Sequence, residues 1–172
     1  MQDERSNFED LCLPLLDTAY NFAYLLVGRD QEAQVVVHEA YVKALKGFKR
    51  LRGGDARPWL LTIVRNTARN WLRKHAGKLP GLAFDSAIQT AARGRPLTES
   101  SQEERVQQLR EALKRLPVEF REILVLHDIE GFSYQQLASV LRAPPGTIMF
   151  RLSQARHRLR QEFAGVHEKE SP

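Results

Sequence analysis

Apolar side chains in the first part of the chain return every three or four residues. Leu11, Leu15, Ala19, Phe22, Ala23 and Leu26 fall on one stripe, which predicts an amphipathic helix from Phe8 to Val27. Gly28 supplies the residue type that ends such a helix. A second helix is expected from about Asp30 to Leu45, with acids in its first turn and Lys43 and Lys46 near its end. That order complements the helix macrodipole. Its Val35-Val36-Val37 run is β-branched and weakens helix propensity, while Ala40, Tyr41 and Ala44 keep an apolar face. Residues Gly47 to Arg57, GFKRLRGGDAR, read as a basic loop with two adjacent glycines. A third helix opens at Pro58, a residue tolerated in a first turn, and runs to about His75.

Residues 76–103 mix Gly, Pro, Ser and Thr without sustained periodicity, so a linker is expected there, with a short helical piece near Ala87. Four helices then fit residues 104–163: Arg105 to Leu116, Val118 to Glu130, Tyr134 to Leu141, and Pro145 to about Phe163. The tail, 164–172, is polar and expected to fray. No strand-like alternation or internal repeat is visible. The predicted class is all-α, with two small helical domains, 1–75 and 104–163, joined by a flexible linker.

The last two helices have the form of a helix-turn-helix. Ser133-Tyr134-Gln135-Gln136 can form a capping box. Leu137, Ala138 and Leu141 give the first helix a buried face, and Pro145 suits the start of the second. In that second helix Ile148, Leu152, Ala155 and Leu159 make one core-facing stripe. The other side presents Met149, Phe150, Ser153, Gln154, His157 and Arg160, flanked by Arg151, Arg156 and Arg158. Such a surface suits a recognition helix, its early residues at base edges and its arginines on phosphates. A two-helix corner alone also occurs in many bundles that bind no DNA.

Charge sharpens the choice. The 172 residues carry 26 Lys+Arg and 21 Asp+Glu, a net charge of only +5, but the charges are segregated. Residues 1–42 hold eight acids and two bases, residues 43–74 ten bases and one acid (Asp55), and residues 142–160 five arginines and no acid. Separate cationic surfaces are what a polyanion partner requires, although solvated helix faces also collect such charges. The 42% apolar content provides for a core. Cys12, the single cysteine, falls on the apolar face of the first helix and rules out an internal disulfide. No apolar run is long enough to span a bilayer, and the MQDERSNFED start lacks the basic-then-apolar order of a secretory signal. A cytoplasmic protein, not an integral membrane one, is expected. The five histidines (38, 75, 127, 157 and 167) lack metal-site spacing, and no phosphate-binding glycine motif is present. No catalytic residue, metal or cofactor is assigned, and an enzyme is not expected.

Two stretches in this order resemble a known family, the extracytoplasmic-function (group 4) sigma factors of bacterial RNA polymerase, in the sigma-70 family. LKRLPVEFREILVLHDIEGFSYQQLASVL followed by GTIMFRLSQARHRLR is similar to the family's fourth conserved region. EAQVVVHEAYVKAL resembles its polymerase-clamp helix, and PWLLTIVRNTARNWLRK its promoter-melting and −10 region. The resemblance implies a non-enzymatic initiation factor whose partners are core RNA polymerase, promoter DNA and an anti-sigma factor. DNA would be duplex at −35 and single-stranded at −10.

For the −10 strand the residues implied are Lys49, Arg52, Gly54, Arg57, Arg65, Asn66, Arg69, Asn70 and Arg73. Arg65, Arg69 and Arg73 repeat every four residues along one side of the third helix, with amides beside them that can hydrogen-bond an extruded base. Trp71 is an aromatic candidate, whereas Trp59 reads first as core with Leu60 and Ile63. For −35 they are Thr147, Met149, Phe150, Arg151, Ser153, Gln154, Arg156 and Arg158, and for polymerase Glu32, Val35, His38, Glu39 and Tyr41.

The chain departs from the family pattern in three places. Val35 and His38 stand where a carboxylate and Gln are usual. Arg142 and Pro144 replace the turn Gly and the Ser cap, and Met149-Phe150 replaces a basic residue and Ser. Phe150 lies about 200° around the helix from Ile148, so it is expected to point away from the core. It can touch thymine methyls or form part of a protein-binding patch. Two other functions stay open at this level: a stand-alone helix-turn-helix regulator, and a sigma mimic that sequesters an anti-sigma factor.

Overall fold

The computed structural model describes residues 2–78 and 102–168, and every regular element among them is helical. The helices are α1 (Gln2–Cys12), α2 (Leu16–Val27), α3 (Asp30–Gly47), α4 (Ala56–Lys74), α5 (Gln102–Arg115), α6 (Val118–Leu124), α7 (Tyr134–Leu141) and α8 (Pro145–Glu168). The helical piece expected near Ala87 lies outside the described residues.

The single helix predicted from Phe8 to Val27 is two helices. Pro14 has no amide proton to continue the ladder, and Leu13–Leu15 form a 3-10 turn between α1 and α2. The break rotates the stripe, so Phe8 and Cys12 are buried while Leu11 is exposed and Leu15 only half-buried. Gly28 does end α2, at φ 80°, its N–H bonded to the Tyr24 carbonyl at 2.7 Å. α4 begins two residues before Pro58, because the Asp55 carboxylate accepts from the Arg57 N–H at 3.0 Å and caps it.

In the C-terminal half the helix expected to reach Glu130 changes pitch. After Leu124 the chain makes one π-helical turn, Val125–Ile129, closed by Glu130 N–H to the Val125 carbonyl at 2.9 Å. The capping box on α7 is formed in both directions, Gln136 N to Ser133 Oγ at 3.1 Å and Ser133 N to Gln136 Oε1 at 2.9 Å. Arg142 takes the left-handed turn position that glycine would favour, at φ 50°.

One continuous buried cluster runs through both halves. Phe22, Leu26, Leu61, Val64 and Ala68 from α2 and α4 join Ile123, Leu126, Phe132, Leu137, Ile148 and Leu152 from α6 to α8. A smaller cluster of Phe8, Cys12, Ala44 and Leu60 sits under α1, with Trp59 edge-on to Phe48 at 6.1 Å as part of its wall. α6 lies on α2 and α7 on α4, so the two cationic helices α4 and α8 belong to one packed body.

Candidate nucleic-acid interface

The recognition-helix geometry of α8 follows from its buried stripe. Ile148, Leu152 and Ala155 are buried against the cluster, with Leu159 half-buried in line. This turns Met149, Phe150, Ser153, Gln154, His157 and Arg158 outward, and Phe150 is 63% exposed. Phe120 joins Ser153, Gln154, His157, Arg158 and Arg160 around an open depression beside the helix. Thr147 and Arg151 are half-buried at its edge. Arg156, predicted as a −35 contact, is instead forked onto Asp128 of the π turn, at 2.5 and 3.2 Å. This hydrogen bond raises the guanidinium's pKa further, so its charge is fixed but already partnered.

The −10 candidates divide into two sets. Arg52, Gly54, Asn66, Asn70 and Arg73 are exposed, with Arg52 in the left-handed region at φ 43° and Arg73 bonded to Asn70. Lys49 is also exposed, 3.5 Å from Glu4. The other three are tied to the C-terminal half. Arg65 grips Glu122 bidentately, Nε to Oε2 at 2.9 Å and Nη2 to Oε1 at 3.1 Å. Arg69 adds Nη1 to Oε2 of the same carboxylate at 3.4 Å. Arg57 donates to Glu130 Oε2 at 2.9 Å and to the Glu130 carbonyl, and its guanidinium lies 4.9 Å over the Phe132 ring. These three arginines are therefore not free surface charges. Trp71 is half-buried and stacked on His75 at 4.2 Å.

On α3, Val35 and His38 are exposed, Glu39 pairs with Lys43 at 2.6 Å, and Glu32 lies near Arg29 at 3.8 Å. The Lys43 ammonium bonded to Glu39 pulls that carboxyl below its ordinary value. Val42 and Leu45, not singled out in the sequence, are exposed and extend the apolar stripe begun at Val35. Tyr41 does not share this surface. Its hydroxyl donates inward to the Cys12 carbonyl at 2.8 Å, its ring packs edge-on to Phe8, and burial pushes its pKa up to about 12. Its place beside Ala40 and Ala44 on the apolar face of α3 agrees with this packing, but only the α1 break reveals the acceptor its hydroxyl serves.

Sequence reasoning also missed Glu122, Asp128 and Glu130, which lie in a stretch whose pattern announces only a buried helix. Among the described residues no group of three or more His, Cys, Asp or Glu gathers to hold a metal, and no helix is long and apolar enough to cross a membrane.

Comparison with known proteins places both halves. The family model for Sigma-70 region 2 matches residues 11–77, and that for Sigma-70, region 4 matches residues 106–159. The chain is 37% identical over 144 residues to the probable RNA polymerase sigma factor RfaY of Xanthomonas campestris pv. campestris, covering 81% of this chain and 36% of that protein. It is 26% identical over 166 residues to the ECF RNA polymerase sigma factor SigE of Mycolicibacterium smegmatis, covering 96% of this chain and 64% of that one. Thus it spans about a third and just under two thirds of these two relatives' lengths. The ECF RNA polymerase sigma-E factor of Escherichia coli K12 is 32% identical over 130 residues, 70% of this chain and 68% of that protein. A similar solved structure is the sigma factor RpoE from Bartonella quintana, in complex with the anti-sigma factor NepR. It matches with a TM-score of 0.71 and 27% identity, over 95% of this chain and 98% of that one.

Proposed function

Because the chain belongs to the ECF sigma factors of the sigma-70 family, we propose that it directs core RNA polymerase to a specific set of promoters. In this reading residues 1–75 bind core enzyme and the −10 element, residues 104–163 read the −35 element, and 76–103 connect them. The protein performs no chemistry of its own and works in the cytoplasm, where polymerase and chromosome meet. An anti-sigma factor is its regulator, by analogy with the RpoE–NepR complex.

The observation that carries the reading is the outward face of α8. A half-turn of backbone separates the buried Ile148, Leu152 and Ala155 from exposed Phe150, Ser153, Gln154 and Arg158. A helix held this way by a capped α7 can enter a major groove without disturbing its own packing. In the groove, Phe150 and Met149 meet thymine methyls, Gln154 offers its amide to a base edge, and Arg151 and Arg158 reach phosphates. On α4, Asn66 and Asn70 stand exposed where an unstacked base can be hydrogen-bonded, with Arg52 and Arg73 beside them for the strand. On α3, exposed Val35, Val42 and Leu45 with His38 and Glu39 form the surface offered to polymerase.

Run-off transcription tests this. Purified protein and core polymerase are incubated with genomic fragments that the protein and polymerase together enrich. The expected result is discrete transcripts that need both components and weaken when Arg158 and Arg151 are replaced. DNA binding by the protein alone should be weak and fall steeply with salt. Tight binding of a dimer to paired half-sites without polymerase would reject an initiation factor in favour of a stand-alone regulator.

A further inference from the structure

A single turn of backbone grips both helices of the helix-turn-helix from outside their apolar contact. The π turn Val125–Ile129 is closed by Glu130 N–H on the Val125 carbonyl and Phe132 N–H on the Leu126 carbonyl, each at 2.9 Å. Val125, Leu126 and Phe132 are buried, so the turn is anchored in the core. Its two polar residues, His127 and Asp128, each reach one of the two helices. The His127 ring stacks on Tyr134, the first residue of α7, with centroids 5.2 Å apart, and its Nδ1 donates to the Phe132 carbonyl at 2.8 Å. The Asp128 carboxylate receives the Arg156 guanidinium of α8 as a fork, Nη2 to Oδ1 at 2.5 Å and Nε to Oδ2 at 3.2 Å.

Arg156 lies about 80° around the helix from Ile148, between the buried stripe and the outward face that carries Phe150, Gln154 and His157. Apolar packing along Ile148, Leu152 and Ala155 is non-directional, and it sets the distance of α8 from the core more firmly than its roll. A two-bond fork onto an anchored turn does fix the roll, because both nitrogens must meet both oxygens. The side-chain surface of an α-helix stands about 5–6 Å from its axis, so a roll of about 20° carries Phe150 and Gln154 about 2 Å sideways. A base-edge hydrogen bond does not survive that displacement. We infer that Asp128 is a positioning residue for −35 reading: it holds Arg156 against the π turn and so sets the roll of α8 in the major groove. Arg156 thereby serves sequence discrimination without touching DNA, from a turn whose other polar residue already holds the start of α7.

This inference rests on the proposed −35 role of α8, and the experiment separates the two. The probes are a labelled promoter duplex, enriched by the protein with polymerase, and the same duplex with its −35 segment scrambled. Fluorescence anisotropy gives the affinity of the full chain, with core polymerase present, for each probe. The chain is compared with Asp128→Ala and with the reversed pair, Asp128→Arg combined with Arg156→Asp. In Asp128→Ala the ratio of the two affinities should fall about tenfold, the worth of about one base-pair contact. The loss should come from weaker binding to the promoter duplex, with the scrambled one bound as before, and the reversed pair should regain most of the ratio. Circular dichroism identifies a variant that has lost its helices, and the reversed pair, which keeps an ion pair, decides the matter if Asp128→Ala does not fold. An unchanged ratio in folded Asp128→Ala overturns the inference, since a merely structural contact would weaken both duplexes together. A ratio lost in the reversed pair also overturns it, because Arg156 would then itself meet DNA. If the unaltered chain does not distinguish the two duplexes, the −35 role of α8 fails, and the positioning fails with it.

Discussion

Phe150 stands 63% exposed on α8 and forgoes most of the burial energy that a phenylalanine ring can gain. Its removal should therefore leave the fold almost untouched, within ~0.5 kcal/mol, as for other surface changes. If the ring meets a thymine methyl, Phe150→Ala weakens −35 duplex binding about tenfold, measured by fluorescence anisotropy with core polymerase present. Unchanged promoter binding with lost anti-sigma binding would assign the ring to the protein partner. Tyr41 is the opposite case, a residue that the family resemblance assigns to the polymerase surface and that the structure turns inward. Its pKa, about 12 against an ordinary 10, is raised chiefly by burial. Below pH 10 the phenol is neutral in both folded and unfolded chains, so its contribution to stability is fully present. Between 10 and 12 the unfolded chain ionises first, and the contribution drains away as pH rises through the folded value. Ultraviolet difference titration should show one tyrosine ionising last, and Tyr41→Phe should abolish that phase. Phe150 was legible because helical geometry fixes its angle from Ile148, whereas Tyr41 was not, since its acceptor belongs to a different helix.

The helix-turn-helix of α7 and α8 is the unit whose chemistry the sequence displays most fully, in the cap that opens α7 and the turn that closes it. Ser133 and Gln136 close both bonds of the capping box, and Ser133→Ala should cost ~1 kcal/mol. Arg142 holds the left-handed position at φ 50° without glycine's freedom. Arg142→Gly should stabilise the chain by about 1 kcal/mol, raising the melting temperature by about 2–4 °C in calorimetry. A fall instead would mean that the Arg142 side chain contributes more than its backbone strain costs. Helix boundaries elsewhere were less legible, for local reasons. Pro14 splits α1 from α2, but the apolar stripe continues far enough across the break to imitate one helix. The π turn at Val125–Ile129 keeps the buried pattern of α6 while adding a residue to its last turn. It is within and just after this turn that Asp128 and Glu130 reach Arg156 and Arg57. Pairings of this kind depend on a pitch change that no periodicity records.

At the scale of the molecule, two domains and an all-α class could be read from helical spacing and punctuation, but their mutual placement could not. The contacts that set it join residues far apart in sequence, such as Arg65 with Glu122 and Arg121 with Leu25. Arg65, Arg121 and Glu122, taken alone, are ordinary helix charges, and the Leu25 acceptor is a backbone carbonyl. Together with the shared cluster of Leu26, Val64, Ala68, Phe132 and Leu137 they make the halves one cooperative unit. Urea should accordingly unfold α1–α4 and α5–α8 in a single transition, seen alike by tryptophan fluorescence, which reports Trp59 and Trp71 in the N-terminal half, and by far-ultraviolet circular dichroism. Arg121 is the place to break that unity. Its guanidinium is buried enough to be pushed down to about 10, yet it keeps its charge at neutral pH and donates to the end of α2. Arg121→Ala removes a charged hydrogen bond from a buried carbonyl and leaves a void, at a cost of about 3 kcal/mol. Because the lost bond spans the junction and not either half, the variant should unfold in two steps: the fluorescence and dichroism midpoints separate while the total helix signal at zero urea stays the same. A single transition displaced to lower urea would show that the apolar cluster alone couples the halves.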